Sequence, residues 1–513
     1  MFKSERDYLE KIALYTVLIL GIGLRFLYLG KMSLWADESY SVILASKSFN
    51  GILSGQIADS SPPLYYWLLK CWILIFGNSE FAVRSLSAAF SSLTLVIAVM
   101  ITRRLTHALA PAMCVALCLG LSGSQIYFAQ EARMYSMAAF WILLACYGLI
   151  REKQNAGSGW YLIPAIVAAL FTHNYGWVFW LGALAWSAVY LRRIGWYHLV
   201  IAALSVLWFP VVFTQMENNA SAWVPPPRMA FLWETIRNYS GAFQFLQPAP
   251  YMEIVIVVTA IAGIFLCVNA LLFNRINRQI AFLEWLGFAP LFTAFVISFF
   301  KPMYVPGRYD MLFFPVIVVF TGVALGRSLQ PGSRSMLPDL AVKLLVFFFV
   351  AGQLCSAVWY FTVFDKSNDR EVAERIESMN LPPDSVVITT DVTQPSFEYY
   401  LDPDIFYIVS YPLNSKGWLP LPFLTNNEAY VTREINQLIA CIDPLHHSGH
   451  IILANAGKLD ANNRLIFRLN DIWTVLERFQ LPSPRPYNSV HQLIHYVIPA
   501  EVPPDQTGAH PLR

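Results

Sequence analysis

Two carboxylates stand side by side, Asp37 and Glu38, in the stretch LWADESYSVILASKSF from Leu34 to Phe49. The stretch follows the first long apolar run and shortly precedes Ser61-Pro62-Pro63-Leu64-Tyr65-Tyr66. A charge at the centre of a membrane helix costs roughly 2.5 to 3.5 kcal/mol on insertion scales, so anchoring does not explain the pair. Other charged groups fall near helix ends farther on: Glu80, Arg84, Glu131, Arg133, Lys301 and Arg308, with His173 among them and Arg25 inside the first apolar run. Carboxylates together with several cations suit one chemistry well. A carboxylate takes a proton from an acceptor, while Arg and Lys hold a phosphate leaving group whose charge grows in the transition state.

The elements that must position these residues are membrane helices. Of 513 residues, 56% are hydrophobic and 13% charged, against about 25% charged in soluble domains. The formal net charge of +2 gives no argument for a nucleic-acid or acidic partner. Most of the seven cysteines lie in apolar runs, where a thiol acts as a small hydrophobe, and their spacing shows neither a disulfide framework nor a metal site. MFKSERDYLEK and the apolar run after it lack a small-residue cleavage site, which reads as a retained first helix.

Basic residues orient the chain. Lys3, Arg6 and Lys11 place the N-terminus in the cytoplasm and Asp37-Glu38 outside. Leu64 to Phe76 is short for a crossing and carries Lys70, so it reads as an interfacial helix. If it does not cross, Arg103-Arg104, Arg151, Arg192-Arg193, Arg275 and Arg327 all fall inside. The result is a polytopic α-helical membrane protein of about eleven spans of about 20 residues, with interfacial helices in the first outer loop. The expected domains are 1–363 in the membrane and 364–513 outside. In the second, Arg370 to Ile376 has helical spacing, Ser385 to Thr390 and His450 to Ala454 read as strands, and the sum is a small α/β domain with a disordered end.

The set LWADESYSVILA, SPPLYYWLLKCWILIFGNSEFAVRSLS, EARMYSM and PGRYDMLFFP, in that order, resembles the GT-C membrane glycosyltransferases related to protein O-mannosyltransferases and aminoarabinose transferases. The resemblance covers roughly residues 10 to 325. It implies inverting transfer of a sugar from a polyprenyl-phosphate donor to a protein, lipid or glycan acceptor at the outer face of the cell membrane, without a nucleotide sugar. Asp37 matches the family's catalytic base, Glu38 its acidic neighbour and Glu131 a second acidic position. Arg84, Arg133 and Arg308 are the expected phosphate holders, since guanidinium forks suit phosphate oxygens, with Lys301 as a point charge. Tyr65 and Tyr66 are expected at the lipid entrance. No cofactor or resident metal is implied, although lone carboxylates beside a phosphate leave a divalent ion open. The sugar, the acceptor and the carrier length are not given by the sequence.

Plainer readings stand beside these. Asp37-Glu38 also fits a helix N-terminus, which favours acids. Arg25 and Arg84 fit snorkelling to the interface, Glu131 and Arg133 a structural pair, and His173 an interhelical hydrogen bond. His446, His447 and His450 resemble a metal spacing but fit a solvated loop better. A transporter or flippase of lipid-linked glycans is the second functional reading. It calls for polar groups at mid-membrane and repeated halves, and neither is visible.

Overall fold

The computed structural model describes residues 2–58, 61–155, 159–189, 192, 194–211, 214, 224–242, 249–277, 280–328, 337–413, 420–442, 448–457, 459–482 and 489–498. The expected disordered end, and His446 with His447, lie outside them. The chain forms two compact units, Met1–Lys31 with Leu44–Phe364, and Met32–Ile43 with Asp365–Arg513.

The first unit is helical. Its inner element is Glu80–Thr106, packed by Phe2–Phe26, Leu109–Gly120, Tyr135–Asn155 and Phe314–Ser328. Close approach is possible because its buried face carries small residues such as Ala88, Ser91, Ser92 and Ala98. Gly21 and Gly120 continue this crossing: a Cβ on Gly21 would stand 3.0 Å from the Gly120 Cα. By length and composition, three described helices suffice to cross a membrane, Glu80–Thr106, Pro250–Arg275 and Asp339–Thr362, or four with one bent pair.

That pair departs from expectation. Ala110 to Phe128 reads as one span, yet Leu109–Gly120 and Gly123–Ala129 meet at a 61° bend. Ser122 restarts the helix by accepting the Gln125 N–H. Gly123 is needed at the break, because a Cβ there would lie 2.2 Å from the Ser356 hydroxyl. The short helix is found at Leu64–Phe76, opened by Pro62-Pro63 and closed by Gly77 at φ +79°.

In the second unit, a five-stranded mixed sheet has the order β2-β1-β3-β5-β4. The strands are β1 Ser385–Thr390, β2 Phe406–Tyr411, β3 His450–Ala456, β4 Thr474–Gln480 and β5 Val490–Val497. β1 pairs in parallel with β2 and β3, while β5 is antiparallel to β3 and β4. Every residue of β1, an inner strand, is buried, which explains its unbroken SVVITT run. The amphipathic helices Asp369–Glu377, Glu428–Ile442 and Asp460–Ile472 supply Ile376, Leu438 and Leu465 to the cores on the sheet faces.

Asp369 and Asp391 are among the buried acids of this unit. Desolvation pushes the Asp369 carboxyl, near the Ser367 and Ser396 hydroxyls, up to about 7. It does the same to Asp391, at the end of β1 against Gly457. Unfolded Asp titrates near about 3.9, so folding retains protons between that value and about 7. The stabilisation is complete below the unfolded value and is lost as pH rises through the folded one. In the full-length protein, amide protection of β1 and β3, corrected for intrinsic exchange, should therefore fall between about pH 5 and about pH 7.5. Asp369→Asn combined with Asp391→Asn should flatten the dependence; an unaltered slope would refute the assignment.

Candidate functional site

The loop from Lys301 to Phe313 carries Arg308, which is 7% exposed. Gly307 takes φ +73° and lies so near Asn238 that a Cβ would stand 2.3 Å from its side chain. Tyr239 Oη donates to the Asp310 carbonyl at 2.8 Å, and Tyr175 Oη to the Met303 carbonyl at 3.0 Å. Held in this way, Arg308 donates its Nε–H to Tyr135 Oη, with its guanidinium carbon 5.5 Å from the centre of that ring.

Arg133 reaches the same neighbourhood from the turn between Gly123–Ala129 and Tyr135–Asn155. Its Nη1 donates to Tyr66 Oη at 3.3 Å. The Ser87 hydroxyl donates to the Arg133 carbonyl at 3.0 Å and lies 3.1 Å from Tyr65 Oη. The charges of Arg133 and Arg308 both act on the His173 ring. Tyr309 lies 4.8 Å from that ring and Tyr135 6.0 Å, centroid to centroid. Two buried arginines are thus brought together within a wall of His and Tyr. Such a group can hold an oxyanion bidentately and turn hydroxyls toward it.

The remaining expected residues are placed differently. Arg84, 1% exposed, donates to the Leu29 carbonyl at 3.0 Å. Arg25 does not snorkel: it is 1% exposed and donates to the Gly21 and Leu119 carbonyls and to Ser91 Oγ. Both arginines serve carbonyls at or near helix ends, where a cation is favoured. Lys301 is half-buried, and its side chain makes no hydrogen bond or ion pair among the described residues. Tyr65 and Tyr66, expected at a lipid entrance, are fully buried, with Tyr66 Oη accepting from Arg133 and Tyr65 Oη beside the Ser87 hydroxyl. Glu131 is buried and accepts from Tyr127 Oη at 3.1 Å.

The neighbouring carboxylates part company. In the second unit, helix Ala36–Ser46 begins just before them, and both lie in its first turn. Glu38 is fully buried in an ion pair with Lys366, Oε1 to Nζ 3.1 Å, whereas Asp37 is half-buried. In the same unit, His450 Nδ1 lies 3.0 Å from His495 Nε2, a ring-to-ring hydrogen bond.

Tyr135, Tyr309 and Asp310 are members that spacing alone does not single out, although all lie in the EARMYSM and PGRYDM motifs. Asp310 is fully buried, and desolvation pushes its carboxyl up to about 6 despite the pull of Thr235 and of the Gly307 and Met311 N–H groups. Its charge also reaches Tyr239 and Tyr304. Those two tyrosines and Thr235, whose hydroxyl is 2.8 Å from Tyr304 Oη, join Ser240 and Thr321 in the wall of a mainly apolar cavity of about 580 Å³. Cys118, Ile264, Phe292, Ile317 and Val346 contribute to the apolar lining.

At the level of fold, the chain matches ArnT from Cupriavidus metallidurans bound to undecaprenyl phosphate, with a TM-score of 0.58 and 14% identity, over 94% of this chain and 97% of that one. It matches the same protein in the apo state with a TM-score of 0.57 and 12% identity, over the same shares. The chain has the ArnT fold, the GT-C architecture to which the sequence motifs point. No protein-family profile matches. An uncharacterized protein of Aquifex aeolicus (strain VF5) is 26% identical over 185 residues, 36% of this chain and 34% of that relative's length.

A charged carboxylate at Asp310 lowers stability near neutral pH, because its folded value lies above the unfolded one and the benefit of the proton is lost as pH rises through about 6. Asp310→Asn should therefore raise the melting temperature of the purified protein more at about pH 7.5 than at about pH 5. An equal change at both values would mean that the carboxyl does not titrate in this window.

Proposed function

We propose that the protein is a glycosyltransferase that moves a sugar from a polyprenyl-phosphate donor to an acceptor at the outer face of the membrane, with inversion. The observation that carries this reading is the meeting of Arg133 and Arg308 around His173 and Tyr135 in a chain with the fold of a protein crystallised with undecaprenyl phosphate. The charge pattern supports the topology expected for it, about eleven crossings with the site outside.

In the proposed reaction an acceptor hydroxyl attacks the anomeric carbon, and the bond from that carbon to the phosphate oxygen breaks. Asp37 takes the hydroxyl proton. The leaving group changes from a phosphodiester to a phosphomonoester and gains one negative charge, which Arg133 and Arg308 are positioned to stabilise. Glu38 and Glu131, each already engaged by a buried partner, support the site and do not take the proton. Arg84 and Lys301 are secondary: the first holds a carbonyl, and the second adds positive charge to the loop of Arg308. Tyr65 and Tyr66 hold Arg133 in place. The apolar cavity suits an isoprenoid chain, because its wall offers almost no hydrogen-bonding groups.

Arg133 and Arg308 both donate to tyrosine hydroxyls, groups that can turn toward a bound anion.

Transfer is to be measured in membranes with radiolabelled sugars carried on undecaprenyl phosphate. Asp37→Asn should reduce it by about a hundredfold or more, in the range of a lost general base, with expression and melting temperature retained. Near-normal transfer by the folded variant would overturn the catalytic assignment. Arg308→Ala should raise the apparent KM for the donor and lower kcat, each by about tenfold. Unchanged donor kinetics would remove Arg308 from the phosphate site.

A further inference from the structure

Resting on the reading of Asp37 as the base, we infer that Lys366, at the entry to the soluble domain, is a positioning residue that orients Asp37 through its buried ion pair with Glu38. The pair lies within the second compact unit, in which the short segment Met32–Ile43 folds together with Asp365–Arg513. Lys366 and Glu38 are 1% and 0% exposed, and Nζ to Oε1 is 3.1 Å.

A buried ion pair needs a reason. Removing both charges from water costs as much as their attraction returns, and apolar residues of similar volume hold a fold together equally well. What the pair adds is direction. Glu38 follows Asp37 directly in the first helical turn, and neighbouring helical side chains project about 100° apart. A fixed bearing for Glu38 therefore fixes the bearing of Asp37. With Glu38 turned inward, Asp37 is the half-buried member of the two.

The segment ahead of the helix is gripped from the same domain. Ser33 Oγ donates to Glu371 Oε2 at 3.0 Å, the Leu34 N–H to Tyr400 Oη at 2.6 Å, and Ser367 Oγ to the Leu34 carbonyl at 3.4 Å. Within the helix, Ser41 Oγ donates to the Asp37 carbonyl at 2.9 Å, which ties the first turn to the next. Lys366 has a second effect. It cancels the Glu38 charge, which would otherwise sit beside Asp37 and disfavour its ionised form. The soluble domain is then part of the catalytic apparatus through its hold on Glu38.

The test uses full-length protein in membranes, with release of undecaprenyl phosphate from its radiolabelled sugar conjugate as the readout and melting temperature as the measure of folding. Lys366→Met and Glu38→Gln should each lower kcat by about tenfold or more while the donor KM stays within about twofold, the signature of an interaction used in the transition state. The double variant should be no worse than the worse single one, because both act through one pair. Multiplying penalties, a loss confined to KM, or a loss matched by the fraction unfolded would each overturn the assignment. Should Lys366→Met fail to fold, the double variant, which buries no lone charge, is read by itself: lowered kcat in folded protein supports the role, and normal kcat refutes it. Asp37→Asn separates the two readings. If it is active, the assignment of the base fails; if it is inactive while the pair variants turn over normally, only the positioning role fails.

Discussion

Every strongly basic group taken out of water in this protein must find oxygen atoms, and where those oxygens come from sorts the cations by role. Arg25 and Arg84 take backbone carbonyls at or near helix ends. Such partners are fixed by the helices themselves, and the arginines in turn hold the helices at that separation. Arg133 and Arg308 take tyrosine hydroxyls. A hydroxyl rotates and accepts or donates as required, so it holds a guanidinium in place without opposing an incoming phosphate. Lys366 takes a carboxylate, the one partner that cancels its charge outright.

The apolar cavity follows from the same constraint. Phe314–Ser328, Pro250–Asn277 and Asp339–Thr362 have no charges to satisfy along their middle turns, and they line it with Ile, Val and Phe. Polar atoms enter its wall at Thr235, Tyr239 and Tyr304, beside the loop that carries Asp310 and Arg308. A ligand with a long apolar tail and an anionic head fits that division of surface. The cost appears at Asp310, whose carboxyl is held near neutrality by desolvation, and buried charge of this kind is retained where function requires it.

Local signals made part of this legible in the sequence. Pro62-Pro63 and Gly77 mark both ends of Leu64–Phe76, and the β-branched run at 385–390 gives β1 without ambiguity. Arg133 and Arg308 stand out because charges beside apolar runs need a reason, and their motifs also contain Tyr135, Tyr309 and Asp310. The bend after Gly120 was hidden, since Leu109 to Ala129 is one apolar run and only the close contact of Gly123 with Ser356 explains the break. Burial of Tyr65 and Tyr66 was hidden too: an interfacial helix shows which residues are aromatic, not which face meets the next helix. The partner of Glu38 lies 328 residues away, beyond the reach of any spacing rule.

That distant partner also bears on which carboxylate suits the proton. A base must give up whatever stabilises its charged form when it is protonated. For Glu38 this means breaking a buried ion pair and leaving the Lys366 ammonium uncompensated, a large penalty at the moment of transfer. Asp37, half-buried in the same first helical turn, is favoured there by the helix N-terminus. Expulsion of a phosphate does not demand a strong base, because stabilising the departing charge supplies much of the driving force. A carboxylate held at a fixed bearing meets that requirement better than one that wanders, since a misplacement of about 1 Å costs on the order of a hundredfold in rate.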